Sequence, residues 1–481
     1  MIFNLSRPKS MLPSSYFWTW DQSTNWVLDD PGIVNFGSWN KYLKKPETYV
    51  EDYRRLTDMA LSLDIKGIVI WGFLRDSHGG IEYAKKVASY AKSKGVSIMP
   101  GVGTTHYGGV YHQGDNKYNI NTFLNANPEC GAVVSKEPGA KRALHAVCPS
   151  NPLFKEWISE GVNWLFREFD IGGCNFENGD FFSCYCDKCQ AQKENWPKSD
   201  PNFFRYQAMC YQSALDTAKS IFENNNDLLI TWATYCGFIP EKLTVEKDKP
   251  ESFVTKMGTN RPEMFNRLSY EGIAQWTLTR MVREKEISLM DFLDNGTPDI
   301  IYDNPSWLKG ITPPSKRSTG FVHQGSQWDY SPWESKSTRY SLILGRIKEA
   351  CLRAYESGLE GVSIHGELTS RHIPAALNYL AFSHFTHWPY DTLRKFGEIT
   401  LGEVFNNPCE GEDYVEILAL WEAGKVDDQL KRKIKERYDS AYSIIYPASE
   451  DASESKLTKF FFWNWLYRLV SGFHGIEESF I

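Results

Sequence analysis

The sequence lacks the features that define membrane, secreted and nucleic-acid-binding proteins. Its 481 residues contain no apolar run long enough to cross a bilayer, and the N-terminal segment "MIFNLSRPKSMLPSSYFWTW" has no apolar core behind basic residues. We therefore expect no membrane span and no signal peptide, which predicts a cytoplasmic protein, or a periplasmic or secreted one if a signal has been removed. The formal net charge is −7 and no block of basic residues occurs, which argues against a nucleic acid partner.

Motifs of several enzyme classes are also missing. The chain has no G-x-S-x-G of serine hydrolases, no H-E-x-x-H of zinc proteases, and no H-x-E ahead of a P-C-x-x-C of zinc deaminases. The stretch "GVGTTH" (Gly101–His106) lacks the third glycine of a dinucleotide-binding loop, so we interpret it as a tight turn after a strand. An open doubly wound sheet remains the alternative to the fold predicted below.

Aromatic residues, by contrast, are abundant. The chain has 17 Trp, 25 Tyr and 28 Phe, and many lie beside polar residues, as in "WTWDQSTNW", "SQWDYSPW" and "THWPY". A large core would account for them. The other interpretation is a carbohydrate-binding cleft, because aromatic faces next to amides and carboxylates hold sugar rings and their hydroxyls. A carbohydrate is therefore the expected partner, and a homo-oligomer is left open.

Short apolar runs alternate with longer amphipathic segments along most of the chain. Segments such as "PETYVEDYRRLTDMALSLD" predict helices, and Gly95 and Gly358 predict left-handed helix ends before the next strand. A long helix between successive strands implies parallel pairing, so this pattern predicts the α/β class, specifically a (β/α)8 TIM barrel. The expected strands are Tyr16–Trp20, Gly67–Gly72, Ser97–Val102, Gly173–Glu177, Leu228–Thr234, Gly272–Thr277, Gly320–His323 and Gly361–His365.

Two points of this organisation need a choice. The stretch "PDIIYD" (Pro298–Asp303) competes with Gly272–Thr277 for the sixth strand. After about Thr386 the alternation stops and the remaining patterns are helical. We therefore predict a (β/α)8 barrel over residues 1–385 and a helical extension over residues 386–481 that packs on the barrel.

The ten cysteines are mostly scattered singly in apolar runs, which suits free thiols. The exception is the C-x-C-x-x-C motif of Cys184, Cys186 and Cys189, for which Cys148 is a candidate fourth partner. Four thiolates form a closed tetrahedral zinc site with no open position for water, so such a zinc would be structural. Unmetallated thiols or a labile disulfide are the alternatives.

Carboxylates at strand ends are the candidate catalytic groups. Glu177 ends the fourth strand between Phe176 and Asn178, and an apolar wall favours the protonated form that a general acid needs. Glu367 follows the last strand in "GVSIHGEL" and is the candidate second carboxylate; a helix N-terminal Glu is the alternative. Asp180 could orient Glu177 or a sugar hydroxyl, or could simply form a turn.

One segment resembles a known family. "CPSNP", a long amphipathic helix, an apolar strand ending in Glu and then "CYCDKCQ" resemble the zinc-bearing β-galactosidases, which are (β/α)8 glycoside hydrolases of the large retaining clan. The resemblance, limited to Cys148–Gln190, implies a structural zinc on Cys148, Cys184, Cys186 and Cys189, and an acid/base role for Glu177.

The chain departs from that family at two places. Phe176 stands where the family has an Asn that holds the sugar 2-hydroxyl, so Asn175 or Asn178 would have to replace it. The seventh strand region "FVHQGSQWDY" has no Glu to act as nucleophile. Glu367 is therefore the first choice, with Asp303 and Asp329 in reserve. A substrate-assisted mechanism, in which the N-acetyl group of the sugar attacks, would need no protein nucleophile.

Polar and aromatic residues follow seven of the eight predicted strands, which favours a ligand site at that end of a barrel. Arg75 with Asp76 could be an ion pair, or Arg75 could bind an acidic sugar. The sequence thus predicts a glycoside hydrolase, with a catalytically silent glycan-binding barrel as the alternative. The candidate substrate-binding residues are Trp20, Asp21, Arg75, Asp76, His106, Asn175, Asp180, Trp232, Trp276, His323, Gln324, Trp328 and His365; Thr105 and Tyr107 share the third strand end with His106.

Overall fold

The structure is a computed structural model. It describes residues 3, 5, 7–21, 45–177, 184–194, 213, 214, 216–218, 220, 221, 228–233, 273–277, 288–298, 317–323, 342–356, 358–365, 373–445 and 454–471. For Trp20, Trp232, Trp276, His323 and His365 only the backbone is described. Within these ranges, no helix combines the length and the apolar character that crossing a membrane requires.

Ten strands are described. They are β1 (Tyr16–Trp20), β2 (Gly67–Trp71), β3 (Ser97–Gly103), β4 (Gly131–Val133), β5 (Arg142–Val147), β6 (Gly173–Glu177), β7 (Leu229–Ala233), β8 (Ile273–Thr277), β9 (Arg317–His323) and β10 (Gly361–His365). Eight of them pair side by side in the closed order β1-β10-β9-β8-β7-β6-β3-β2. All eight pairings are parallel, so the predicted α/β class with parallel strands is confirmed.

The predicted strands match those of the structure closely. Of the two candidates for the sixth strand, Ile273–Thr277 lies in the sheet as β8. The largest difference is in β9, which begins at Arg317, three residues before the predicted Gly320. "RST" carries no apolar signal, but Arg317 and Ser318 pair with Ile273 and Ala274 of β8, and the neighbouring strand thus extends β9.

The described helices lie between and after the barrel strands. They are α1 (Pro46–Ser62), α2 (Gly80–Ser93), α3 (Ile120–Ala126), α4 (Pro152–Glu168), α5 (Asp187–Glu194), α6 (Leu289–Leu293), α7 (Leu344–Glu356), α8 (Ile373–His387), α9 (Leu393–Phe396), α10 (Gly402–Phe405), α11 (Pro408–Glu422), α12 (Asp428–Ile445) and α13 (Glu454–Val470). Gly95 and Gly358 have φ of 74° and 73° just after α2 and α7, which confirms the predicted left-handed helix ends. The connection from β7 to β8 lies outside the described residues.

After α8 the described secondary-structure elements are all helical, including a π-helical turn at Gly397–Leu401. The predicted division at residue 385 falls inside α8, which continues to His387. Helix α8 is buried along its whole length. It therefore gives no amphipathic signal by which the end of this helix could have been located in the sequence.

A two-stranded antiparallel hairpin, β4 with β5, was not predicted. It is inserted between β3 and α4, and Gly131 pairs with Val147 while Val133 pairs with Arg142. Several residues of β5 are exposed, among them Leu144 at 66%. The hairpin therefore lacks the apolar alternation by which strands are recognised in a sequence.

Apolar side chains pack on both faces of the barrel sheet. Side chains inside the barrel form one cluster, made of Tyr16, Trp18, Val69, Trp71, Met99 and Leu229, with Tyr107 packed against it. The outward-facing strand residues form a second and larger cluster with the surrounding helices, as Ile68, Ile70 and Val102 do. These bulky side chains fill the interior of the barrel, so a ligand site is expected at the carboxyl ends of its strands.

Lys348 is a fully buried lysine in the helix layer around the barrel. It lies in α7, its ammonium donates a hydrogen bond to the carbonyl of Pro389, and it sits 5.2 Å from the centre of the Phe385 ring. Burial lowers the pKa of Lys348 to about 8, although the nearby Cys351 and Asp391 oppose this shift. The folded state therefore holds this proton less tightly than the unfolded chain does.

The buried lysine should make stability rise with pH. The folded pKa of Lys348, about 8, is below the unfolded value of roughly 10.4, so the unfolded chain binds more protons between these values. We expect the free energy of unfolding to gain up to about 3 kcal/mol from this group as pH rises through that interval. Urea unfolding of the wild type and of Lys348→Met at pH 7.5 and 10 measures the difference. Lys395→Met, at an exposed position, is the control, and equal pH slopes in all three proteins would contradict the prediction.

Candidate functional site

The carboxyl ends of the barrel strands form the mouth in which Glu177 lies. Glu177 is the last residue of β6, is 3% exposed and pairs in register with Gly103 of β3. Its backbone carbonyl accepts a hydrogen bond of 2.7 Å from the Thr104 amide. The strand end is therefore tied to the neighbouring strand where the carboxyl group begins.

Asn175 precedes Glu177 by two residues on β6, so both side chains lie on the same face of the strand. Its side-chain oxygen accepts a 3.0 Å hydrogen bond from Trp71 Nε1, and its nitrogen donates a 2.6 Å bond to Thr231 Oγ1. Asn175 is fully buried. The Asn175 amide therefore links β2, β6 and β7 below Glu177 through hydrogen bonds to other protein side chains. Its predicted contact with a sugar stays a prediction.

The inner face of β3 carries glycine at the two positions nearest this asparagine and Glu177. A Cβ on Gly101 would lie 2.4 Å from the Trp71 ring, and one on Gly103 would lie 1.9 Å from the carbonyl oxygen of His106. The missing side chains thus make room for an indole ring and for the returning loop after β3. Trp71 lies with its ring 6.0 Å from that of Trp18, so the floor of the mouth is aromatic.

His106 follows β3 and is half-buried at this mouth. Its ring lies 5.2 Å from His145 on the hairpin strand β5 and 5.3 Å from Tyr107. Burial lowers the pKa of His106 to about 4, and the neighbouring His145 contributes in the same direction. At neutral pH His106 is therefore an uncharged imidazole, which can donate one hydrogen bond and accept another.

A buried polar cluster lies where β1 and β2 end. The carboxylate of Asp21 contacts Nδ1 of His78, and both side chains are almost fully buried. The ring of Tyr49 stacks on His78 at 5.3 Å. Burial lowers the pKa of Arg75, and the negative charge of Asp21 opposes that shift. The Asp21 carboxylate thus lies close enough to the Arg75 guanidinium, a candidate ligand group, to affect its pKa.

His112 stands beside that cluster. Burial pushes its pKa well below the usual histidine value, and the charge of Arg75 pushes it further down. Its ring also makes an edge contact with Trp71 at 6.4 Å. His78 follows the second predicted strand close to Arg75 in the chain and belongs to the polar residues predicted at that strand end. His112 was not predicted, because it is far from any strand end in the chain and only the fold brings it to Arg75.

The side chain of Asp76 forms hydrogen bonds with the loop after β3. Its carboxylate accepts hydrogen bonds from the Tyr111 hydroxyl at 2.5 Å and from the Asp115 amide at 3.0 Å. Burial, followed by this bond to Asp76, raises the pKa of Tyr111. These hydrogen bonds connect the loop after β2 to the loop after β3. The predicted contact of Asp76 with substrate stays a prediction.

The remaining candidate side chains are not described. Glu367, Asp180, Gln324 and Trp328 lie outside the described residues, as do Asn178, Asp303 and Asp329. By backbone register, His365 of β10 pairs with His323 of β9 and with Trp18 of β1. The polar strand ends β9 and β10 are thus neighbours of the aromatic floor described above.

The four cysteines singled out from the sequence lie together beside the mouth. Within the described residues, Cys148, Cys184, Cys186 and Cys189 place their sulfur atoms within 4.8 Å of one another, and we call this group the cysteine cluster. The Cys148 sulfur lies 3.6 Å from those of Cys186 and Cys189. Such a cluster could bind a metal ion.

The sulfur geometry fits a tetrahedral metal with thiolate ligands. A Zn–S bond of about 2.3 Å gives sulfur–sulfur distances of about 3.8 Å around a tetrahedral ion. The observed 3.6 Å is close to that value and much longer than a disulfide bond of about 2.05 Å. Hydrogen bonds from Cys148 and Cys189 lower the pKa of Cys184, whereas the bond to Cys184 raises the pKa of Cys148. A cation among them would let all four sulfurs ionise together.

The cysteine cluster joins three segments of the mouth. The Cys184 sulfur accepts a hydrogen bond from the Val133 amide on β4, and Cys148 directly follows β5. The Val147 amide in turn donates to the Thr105 carbonyl at 3.0 Å, in the loop after β3. A bound metal would therefore hold the hairpin, the segment after β6 and the loop that carries His106 in one arrangement.

Comparisons with known proteins give structural likeness only. No family model and no curated protein matches the chain. Similar solved structures include the beta-N-acetylhexosaminidase from Bacteroides fragilis NCTC 9343, with 12% identity, a TM-score of 0.42, and coverage of 80% of this chain and 66% of that one. The alpha-amylase from Geobacillus thermoleovorans has 10% identity and a TM-score of 0.43, with 79% and 80% covered. The PgaB (BpsB) glycoside hydrolase domain from Bordetella bronchiseptica has 11% identity and a TM-score of 0.43, with coverage of 79% of this chain and 98% of that one.

This chain thus spans just under two thirds of the hexosaminidase. The relation to the zinc-bearing β-galactosidases remains a resemblance of the segment Cys148–Gln190.

Proposed function

We propose that this chain is a glycoside hydrolase built on a (β/α)8 barrel, with Glu177 as its proton donor. The observation that carries the proposal is the buried carboxyl of Glu177 at the carboxyl end of a barrel strand, beside an aromatic floor and a neutral histidine. Cleavage of a glycosidic bond requires a proton for the leaving oxygen, and a carboxyl group shielded from water suits that task. The site lies where barrel enzymes carry their chemistry.

We propose Glu367 as the second carboxylate, acting as nucleophile or as base. Support comes from the barrel order, in which β10 is four places from β6 in both directions. The segments that follow these two strands therefore start on opposite sides of the mouth. A substrate between them would meet one carboxyl on each face, as both retaining and inverting mechanisms require. A substrate-assisted mechanism remains the alternative, with Asp303 and Asp329 as reserve groups.

We further propose that the cysteine cluster holds one structural zinc ion. Four thiolates fill a tetrahedral coordination sphere, so no position remains for a water or a substrate. The ion would brace the loops around Glu177 and take no part in the bond cleavage. The same closed coordination argues against a zinc deaminase, whose metal must keep a position for its water.

The domain division and the remaining contacts belong to the same proposal. The barrel would comprise residues 1–385 and the helical extension residues 386–481. Arg75 would bind a carboxylate or sulfate on an acidic sugar, a role supported by its charge at the end of β2. The aromatic and polar residues at the other strand ends would hold the carbohydrate.

A substrate screen tests the proposed activity. The wild type is assayed on a panel of p-nitrophenyl glycosides and, by release of reducing ends, on a panel of polysaccharides. We expect hydrolysis of at least one member, and NMR of the first anomer formed then reports retention or inversion. If calorimetry detects glycan binding without any hydrolysis, the catalytically silent glycan-binding barrel becomes the better description. Absence of both binding and hydrolysis would contradict a carbohydrate function.

A further inference from the structure

Tyr107 holds a backbone conformation that its residue type disfavours. Only three non-glycine residues in the described ranges have a positive φ: Asp64, Tyr107 and Asn406, with φ between 53° and 55°. Asp and Asn tolerate this left-handed region because their short side chains bond locally, whereas a bulky aromatic residue is an outlier there. Strained residues of this kind gather at functional sites.

The turn at Tyr107 is imposed by the loop around it. Gly108 and Gly109 follow with φ of 81° and 82°, so three successive residues are left-handed. The Gly103 amide donates to the Gly109 carbonyl at 3.1 Å, and the Ile120 amide donates to the Gly108 carbonyl at 2.9 Å. Glycine at position 107 would make the same turn without strain. The left-handed turn itself therefore does not require the aromatic side chain.

The ring of Tyr107 lies in the mouth beside the proposed acid. It is half-buried and meets the Trp71 ring edge to face at 5.8 Å. The Cβ of Tyr107 is 3.0 Å from the point where Gly103 would carry a Cβ, and Gly103 is the register partner of Glu177. The ring thus stands above the aromatic floor of Trp18 and Trp71, on the β3 side of Glu177.

We propose that Tyr107 forms an aromatic wall of the mouth. The sugar ring that carries the cleaved glycosidic bond would stack against this wall. This inference rests on the proposed function and adds a specificity-determining residue to it. The substrate class would be a pyranoside that presents a face of axial C–H groups to the ring, while its hydroxyls face Glu177 and His106. The rigid left-handed turn would hold the ring in place before the substrate arrives.

Three variants of Tyr107 and one strain control test the wall. Tyr107→Phe keeps the ring, Tyr107→Gly removes the ring and the strain, and Tyr107→Leu keeps apolar packing on Trp71 without an aromatic face. On the p-nitrophenyl glycoside cleaved fastest by the wild type, we expect kcat/KM to fall at least about tenfold for Gly and Leu, equivalent to about 1.4 kcal/mol, and to stay within about threefold for Phe. Asn406→Gly makes the corresponding exchange to glycine at another left-handed position, after α10, and should leave kcat/KM unchanged.

Equal kcat/KM in the wild type and Tyr107→Leu would overturn the wall while leaving the hydrolase proposal intact. Saturation-transfer NMR with free galactose, glucose and N-acetylglucosamine separates the two proposals further, because it needs no turnover. If the wild type cleaves nothing but binds one of these sugars, and Tyr107→Leu does not bind it, the wall stands and the hydrolase assignment fails. If neither cleavage nor sugar binding is detected, both are wrong. Should Tyr107→Gly fail to fold, Tyr107→Leu and Tyr107→Phe decide the matter alone.

Discussion

Glu177→Gln should lower kcat by roughly 10²–10⁴-fold on glycosides with a poor leaving group, such as methyl glycosides or oligosaccharides. Glutamine has nearly the same shape as glutamic acid, so the buried position at the end of β6 keeps its packing and only the transferable proton is lost. The fall should be much smaller on 2,4-dinitrophenyl glycosides, whose leaving group departs without a proton. KM should change little, because binding of the sugar does not use that proton.

The dependence on leaving group is what identifies the role. A nucleophile variant loses turnover with every substrate, since the bond to the sugar carbon cannot form whatever the leaving group is. We therefore expect Glu367→Gln to be inactive on both substrate types, in contrast to Glu177→Gln. Glu156→Gln, exposed on α4, is the matched control and should behave as the wild type. Wild-type turnover of methyl glycosides by Glu177→Gln would end the assignment of this residue as the acid.

Cys148→Ser should abolish metal binding and lower the free energy of unfolding by about 4 kcal/mol or more, a loss large enough to point to a missing metal. Cys148 contributes one of four sulfurs that lie within 4.8 Å of one another, so its replacement would remove one of the four ligands of the proposed zinc ion. Elemental analysis should find one zinc per wild-type chain and none in Cys148→Ser. Thermal unfolding with and without a strong chelator should show the same loss of stability in the wild type.

Cys409→Ser controls for the loss of a thiol as such, because Cys409 is exposed and lies outside the cysteine cluster. It should keep its zinc and its melting temperature. Below the melting temperature, the metal-free protein should still cleave its substrate at a measurable rate if the zinc is structural. A wild-type protein that contains no metal and is as stable as Cys148→Ser would instead favour unmetallated thiols.

Much of the barrel could be predicted because its signals are local. A strand such as Gly67–Trp71 is an apolar run bounded by breakers, and helix α2 ends where Gly95 adopts a left-handed conformation. Such signals depend on neighbours in the chain, so they survive without any knowledge of the fold. The hairpin β4 with β5 escaped prediction because its strands are short and partly exposed.

The candidate site was predictable only in part. Glu177 could be found because it directly ends an apolar strand, and the cysteine motif because three of its members lie within six residues. Trp71 gave no such signal, since its hydrogen bond goes to Asn175, 104 residues later in the chain. The strain at Tyr107 has no mark in the sequence beyond the two glycines that follow it.

The sequence by itself determined which segments form parallel strands, which carboxyl ends β6, and which thiols are close enough in the chain to share an ion. Only the tertiary structure decided that Trp71 reaches across Gly101 to Asn175, that Asp21 meets His78 beside Arg75, and that Tyr107 stands over Gly103. The physical reason is the range of the interactions. Secondary structure follows from the covalent chain and the periodicity of neighbouring residues, whereas a site consists of contacts that exist only after closure of the barrel has brought distant strand ends together.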